Sequence, residues 1–301
     1  MQSIRNLNLL VGLAVLSLAL VLAGPAAAQF ATGFEAIDGY QAAPDGSVIV
    51  SGQNGWYNPD PTSSDDQSVY TYDSNVFNIP VDPNSGGDQF LAAMHLGDGN
   101  FPRAQHGVDL SAGGVWTISY DTYVTHVGHH YRNNIGSFSL SDASAGNTYY
   151  ISVDIWQKNL PGRKAWRKAV EVYDSVGDGP ILLILPKQFK KLFVNHWYTE
   201  SVTIDLDQNQ VIALSLTDID AGVTVAINPT TWYMYGGQGY GTPPNAFRFF
   251  VGGGTGADPG NVVGRDNVSI VPGSPAPIGG KVINLGDAGC IVLEKSLGVT
   301  H

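Results

Sequence analysis

Short runs of β-branched and aromatic residues recur along this chain, cut at close intervals by Gly, Asp, Asn and Pro, and almost none shows helical spacing. A chain patterned this way buries its apolar residues on pleated faces, which points to an all-β sandwich. The runs fall at 68–72, 115–124, 147–156, 197–206, 211–216, 230–235, 246–251 and 267–270. Residues 207–210 (Asp-Gln-Asn-Gln) read as a hairpin-like turn between two of them. Strict alternation over 147–156 puts Tyr150, Ser152, Asp154 and Trp156 on one face, and Tyr149, Ile151, Val153 and Ile155 on the other. Composition agrees. The 301 residues include 37 Gly, and Glu occurs only at Glu35, Glu171, Glu200 and Glu294.

The first 28 residues read differently. Arg5 precedes an apolar stretch from Leu9 to Leu22, then Gly24 and Pro25, then Ala26, Ala27 and Ala28. A basic start, an apolar centre and an Ala-x-Ala ending describe a secretory signal peptide cut near Ala28. The expected location is extracellular or periplasmic. The apolar stretch is short for a membrane span, which needs about 20 residues. No later run is long enough to span, so the mature chain is expected to have no membrane segment. Residues 29–271 read as one jelly-roll-sized β-sandwich domain, 272–280 as a Pro/Gly linker and 281–301 as a tail with two apolar clusters that adds a hairpin or stays mobile.

The net charge is −11, and loss of Arg5 makes it −12. That balance excludes a general nucleic-acid binder. Cys290 is the lone cysteine and makes no internal disulfide. Within this acidic chain, eight of the 15 basic residues crowd together: Lys158, Arg163, Lys164, Arg167, Lys168, Lys187, Lys190 and Lys191. They read either as a patch for an anionic partner or as a solvated edge that discourages strand-to-strand aggregation.

Several phrases resemble those of bacterial secreted proteins of the concanavalin A-like lectin/glucanase class (LamG-like jelly rolls). They are 33–40 (GFEAIDGY), 51–56 (SGQNGW), 197–205 (WYTESVTID), 211–218 (VIALSLTD), 247–253 (FRFFVGG) and 265–270 (RDNVSI). The resemblance implies a two-sheet antiparallel jelly roll whose first and last strands are neighbours. It also implies a structural calcium held by Glu35 and Asp266, each expected on an apolar strand face, Glu35 with Ile37 and Asp266 with Val268 and Ile270. The class includes sugar-binding modules, glycosidases, lyases and adhesion domains, so the fold leaves function open.

Glycosidases of this class carry acids clustered on one strand as Glu-x-Asp-x-x-Glu, because one carboxyl must act as acid while another attacks or activates water. This chain lacks that phrase, and Glu200 leading to Asp205 and Asp207 is its nearest approach. The Arg-x-Glu-Leu-Arg and Gln-Ile-His phrases of lyases are also missing. His126, His129, His130, Tyr131 and Arg132 form a compact group that reads as a polar hairpin tip or a base and metal-ligand set. Sugar rings stack on exposed aromatics. Tyr233, Tyr235 and Tyr240 are therefore expected to contact sugar, with Arg163, Lys164, Lys187, Lys190 and Lys191 meeting acidic groups. The leading expectation is a non-catalytic carbohydrate-binding protein for a polysaccharide or cell-surface glycan. An extracellular lyase or hydrolase and a structural or adhesive surface protein are the alternatives.

Overall fold

The computed structural model describes residues 29–60, 65–97, 101–125, 134–144, 148–160, 163–189, 192–252, 259–273, 281–284 and 291–295, with backbone alone at 157–160, 163–164, 281–284 and 291–295. Residues 1–28, Lys190, Lys191, the His126–Arg132 group and residues 274–280 lie outside these residues. The strands are β1 (Phe30–Thr32), β2 (Trp56–Tyr57), β3 (Ser68–Thr71), β4 (Gln89–Met94), β5 (Arg103–Gly107), β6 (Val115–Thr125), β7 (Asn134–Ser141), β8 (Tyr149–Leu160) and β9 (Arg163–Val172). They continue as β10 (Ile181–Ile184), β11 (Leu192–Phe193), β12 (Trp197–Asp205), β13 (Gln210–Asp218), β14 (Val223–Ile227), β15 (Ala246–Val251), β16 (Val262–Pro272), β17 (Lys281–Asn284) and β18 (Ile291–Lys295).

Two sheets of nine strands result. The first runs β17-β14-β13-β12-β6-β16-β4-β3 with β1 on β16, and the second runs β18-β10-β9-β8-β7-β15-β5-β2 with β11 on β9. Apart from the parallel β14–β17 pair, the ladders joining them are antiparallel. This is a two-sheet antiparallel jelly-roll sandwich. The terminal strands are neighbours, Thr32 lying opposite Val268. The 207–210 turn joins β12 to β13, with Asp205 Oδ1 accepting the N–H groups of Asp207 and Gln208.

The sheets enclose a core of Trp56, Tyr120, Phe138, Trp166, Phe247 and Phe249 among aliphatic residues. Burying each large side chain stabilises the sandwich by about 1.5–3 kcal/mol. Alternation holds through most of β8, with Ile151, Val153 and Ile155 inside and Ser152, Asp154 and Trp156 outside. It fails at the start. A register shift between Leu140 and Ser141 pairs Ser141 with Tyr149, so Tyr149 reaches the outer Glu171 while Tyr150 enters the core. The run at 230–235 forms single bridges from Tyr233 to Tyr173 and Gln210 rather than a ladder. The tail builds no hairpin of its own: β17 extends the first sheet and β18 the second.

Two further expectations are corrected. Glu35 is not on a strand; it precedes a 3-10 turn, Ala36–Asp38, and Ile37 is 94% exposed. Asp266 does not share a face with Val268 and Ile270. Asn267 adopts φ 50°, the left-handed region that Asn tolerates, and a bulge there shifts the β16–β6 register. Val268 and Ile270 point into the core, while Asp266 turns outward opposite Asp121.

Candidate functional site: the outer face of the second sheet

Inward residues of β5, β15, β7, β8 and β9 are mostly apolar, so their alternates line the face turned away from the core. Register sets them in a transverse row: Tyr57, Gln105, Arg248, Ser139, Ser152 and Glu171 are successive cross-strand partners. Strands lie about 4.8 Å apart, so the row is about 24 Å long. A second row passes from Arg103 through Phe250, Ser137 and Asp154 to Ala169. Trp156 and Arg167 face each other beyond it, the guanidinium 5.7 Å from the indole centroid.

Hydrogen bonds order this face. Gln105 Nε2 donates to the Tyr57 hydroxyl at 2.6 Å, and Arg248 Nε donates to Gln105 Oε1 at 2.7 Å. Ser152 Oγ donates to Asp154 Oδ1 at 2.6 Å, and the Trp156 indole N–H donates to Asp154 Oδ2 at 3.3 Å. The Tyr149 hydroxyl donates to Glu171, and burial followed by the Glu171 charge pushes that phenol well above its ordinary pKa. Gln105, Arg248, Ser139, Ser152, Asp154 and Glu171 are all buried, so these hydrogen bonds are made within the face itself. Spacing read from sequence found the Ser152, Asp154, Trp156 side but missed Gln105, Arg103, Arg248 and Glu171. Their signal was alternation in β5, β9 and β15.

The expected aromatic site lies elsewhere. Tyr235 and Tyr240 are 38% and 37% exposed and meet edge to face, their centroids 5.7 Å apart. Trp232 and Met234 are buried, so Tyr233 and Tyr235 take the other side of that segment. Tyr240 borders a cleft of about 350 Å³ with Asp207, Asn209 and Leu110. Asn209 Nδ2 shapes its wall by donating to the carbonyls of Met234, Tyr235 and Gly237.

Of the basic stretch, Lys187 is exposed on a 3-10 turn, and Arg163 and Lys164 open β9. Pairing of Leu192 with Trp166 brings the chain following residue 191 beside β9. Lys168 does not belong to a surface patch. It is buried between the sheets with Nζ 2.7 Å from Glu200 Oε2, and Arg265 lies on the other side of the same carboxylate at 4.0 Å. Tyr120 donates to Glu200 at 2.9 Å, and the Arg265 guanidinium stands 5.3 Å from the Tyr120 and Phe249 centroids. Burial alone would raise the Glu200 carboxyl pKa, but the Lys168 and Arg265 charges outweigh it and hold it below its ordinary value. Glu200 is therefore a core counter-ion.

The outer face of the first sheet carries a second acid group. Asp266 and Asp121 are opposite each other, and Asn267 Nδ2 donates to Asp121 Oδ2 at 2.9 Å and to Asp82 Oδ2 at 3.2 Å. The Tyr72 hydroxyl donates to Asp266 Oδ2 at 2.6 Å. Burial, then the Asp121 charge, pushes Asp82 to about 8. Burial pushes Asp266 to about 7 against the opposing Tyr72 and Asn267 hydrogen bonds. Glu35 caps the adjacent loop, accepting the N–H groups of Asp88 and Gln89. A Cβ on Gly33 would stand 3.6 Å from Asp266 Oδ1 and 3.8 Å from Glu35 Oε1, so both carboxylates border one spot. Among the described residues, no three acid, histidine or cysteine side chains converge into a ready metal shell.

No protein-family model matches the chain, and no curated protein matches it. Among solved structures, the cellulose induced protein Cip1 is 9% identical with a TM-score of 0.37, covering 75% of this chain and 91% of its own. The T. cruzi calreticulin globular domain is 9% identical with a TM-score of 0.41, covering 82% and 89%. A family 7 alginate lyase in complex with substrate is 8% identical with a TM-score of 0.31, covering 64% and 82%. Likenesses this distant carry no argument about chemistry, and the assignment to the jelly-roll sandwich stands on this chain's own strand order.

Proposed function

We propose that this chain is an exported, non-catalytic carbohydrate-binding jelly-roll protein whose partner is an acidic polysaccharide. The observation that carries the reading is the transverse polar row on the outer face of the second sheet, about 24 Å long, with Trp156 two rows further along β8. A row of this kind follows an extended chain of hydroxylated rings: side chains replace water at the hydroxyls while the indole covers a C–H face. Tyr233, Tyr235 and Tyr240 offer a second aromatic contact at the sandwich end. Arg163, Lys164, Lys187, Lys190 and Lys191 would add positive charge for acidic groups; Lys190 and Lys191 lie outside the described residues. A glycan array read at low and moderate salt tests the proposal. Binding to acidic glycans that weakens as salt rises is the expected result; no hit at either salt contradicts it.

Calcium belongs to the same proposal as a structural ion. Glu35 and Asp266 would hold it, with Asp82 and Asp121 adjoining Asp266 as further negative charge. The donors fit a hard cation: they are oxygens only, and Asp121 Oδ1 is buried without a hydrogen-bond partner. Calcium takes about six to eight oxygens, so backbone carbonyls and water would complete the shell.

One observation favours hydrolysis or elimination as a second reading. Asp154 and Glu171 share the outer face on adjacent strands, and glycosidases place paired carboxyl groups about 5–9 Å apart. New reducing ends or unsaturated products released from a bound oligosaccharide would establish it.

A further inference from the structure

Three loops close on one another at the end of the sandwich that carries Tyr240: 110–114 before β6, the 206–209 turn between β12 and β13, and 234–243 before β15. The Leu206 N–H donates to the Gly114 carbonyl at 2.9 Å, the Gly114 N–H to Asp207 Oδ1 at 3.0 Å and the Gly239 N–H to the Gln208 carbonyl at 3.3 Å. Together with the bonds from Asn209 Nδ2 to the carbonyls of Met234, Tyr235 and Gly237, these fix the walls before any ligand arrives. The cleft between the loops is about 350 Å³. That is the small end of the range for ligand pockets, about 300–1,000 Å³, and suits a single ring better than a run of them. Leu110, Leu206 and Pro243 give it apolar surface, while Ser111, Asp207 and Tyr240 give it polar groups. The Tyr240 ring rests on bare backbone: Gly236 holds φ 86°, and a Cβ there would overlap the ring. Tyr235 meets it edge to face, and the ring stays 37% exposed where it borders the cleft. Gly113 holds φ 69°, and a Cβ there would stand 2.7 Å from Asp207 Oδ1, so glycine lets the carboxylate lie over that loop. Gly114 occupies Oδ1, and among the described residues nothing donates to Oδ2. Asp109 and Asp205 instead accept N–H groups of their own loops. Residues 108–114, 205–210 and 234–245 contain these three acids and no Lys, Arg or His. A free carboxylate oxygen beside an open aromatic ring accepts from hydroxyl or ammonium donors and repels acids.

We infer that this cleft is a subsite for one pyranose ring without an acidic substituent, its C–H face on Tyr240 and its hydroxyls, or the ammonium of an amino sugar, donating to Asp207. The inference rests on the carbohydrate reading and deepens it: the sheet face is read as following an acidic chain, while the cleft takes a single ring of the opposite preference. Spacing along the sequence gave Tyr240 but assigned Asp207 to an exposed turn, because the loop that makes it a wall, 110–114, lies far away in the chain.

The experiment titrates the whole chain, followed by NMR, with the methyl glycosides of glucose, galactose, mannose and glucosamine, and with methyl glucuronide. The expected result is binding of at least one of the four non-acidic glycosides, with the glucuronide about five-fold weaker or more at low salt and the gap narrowing as salt rises. Preference for the glucosamine glycoside would support the cleft and identify ammonium as the group read. Tyr240→Ala should weaken the non-acidic ligands by about two- to ten-fold, and Tyr240→Phe, which keeps the ring, should restore most of the loss. Asp207→Asn should weaken them by about five-fold and remove the discrimination against glucuronide. Melting curves establish that each variant is folded. Glucuronide bound as tightly as the best non-acidic glycoside overturns the cleft, as does binding that neither Tyr240→Ala nor Asp207→Asn changes. If none of the four binds while acidic glycans are hit on the array, the cleft is overturned and the carbohydrate reading stands. Silence in both experiments overturns both.

Discussion

The two outer faces of this sandwich are built from the same alternation and end differently. On the first sheet, Thr117 and Thr203 hydrogen-bond across strands at 3.1 Å, as do Thr217 and Thr224 at 2.8 Å. These short side chains satisfy one another and leave little to offer a ligand. Among the described residues, Asp82, Asp121 and Asp266 gather there, and the groups around them include neutral donors such as Asn84, Asn267 and Tyr72. The second face mixes arginines, acids, amides and an indole along continuous rows. Acids without cations call for a metal ion, whereas ordered groups of both signs call for a polar organic ligand. On the proposed reading, one sandwich separates a stabilising site from a recognising one.

That separation requires that neither face be what clamps the sheets together. The interior does so, through its apolar core and the Lys168–Glu200–Arg265 group within it, and the largest effect is expected at that group. Glu200→Ala strands two buried cations and should cost about 3–5 kcal/mol in urea unfolding. A loss within the ordinary range of surface substitutions would show that the cluster is not sealed.

Next comes calcium. A buried acid whose folded pKa is raised holds its proton after the unfolded chain has lost it, so stability falls as pH rises. With Asp82 at about 8 and Asp266 at about 7, the metal-free protein should lose stability from about pH 4 to pH 8. Calcium should raise the melting temperature more at pH 8 than at pH 5, and Asp82→Asn should shrink that difference. A melting temperature indifferent to calcium at both values breaks this half of the comparison.

A smaller effect separates the faces by function. Trp156→Ala should weaken glycan binding by about 0.5–1.5 kcal/mol while leaving the calcium response intact. Loss of both together would mean that the two faces act as one site. Smallest of all, Thr203→Val on the first sheet should cost about 1 kcal/mol of stability and leave glycan affinity unchanged. Equilibrium unfolding and a single binding isotherm suffice to check it.

The two-sheet jelly roll was legible because β6, β8, β12 and β13 carry period-two patterns that only a half-buried strand rewards. The pairing of the terminal strands followed from the resemblance and is seen at Thr32 and Val268. What alternation could not supply was its own interruption. At Asn267 one extra residue turns Asp266 away from Val268, and near Tyr149 a register shift exchanges two adjacent tyrosines. Bulges of this kind depend on the partner strand, which local sequence does not specify. The same limit hid the site. Gln105, Arg248, Ser139, Ser152 and Glu171 come from five strands spread over the chain, and register alone makes them neighbours. Lys168 was misread for a related reason: in a run of cations, local charge does not reveal which one has a carboxylate waiting on the opposite sheet.

Hydrogen–deuterium exchange with and without a bound acidic oligosaccharide tests the recognition face most directly. Protection concentrated on β5, β7, β8, β9 and β15, with β12 and β13 unchanged, is the predicted footprint. Protection confined to the first sheet or to the loop around Tyr240 would contradict it.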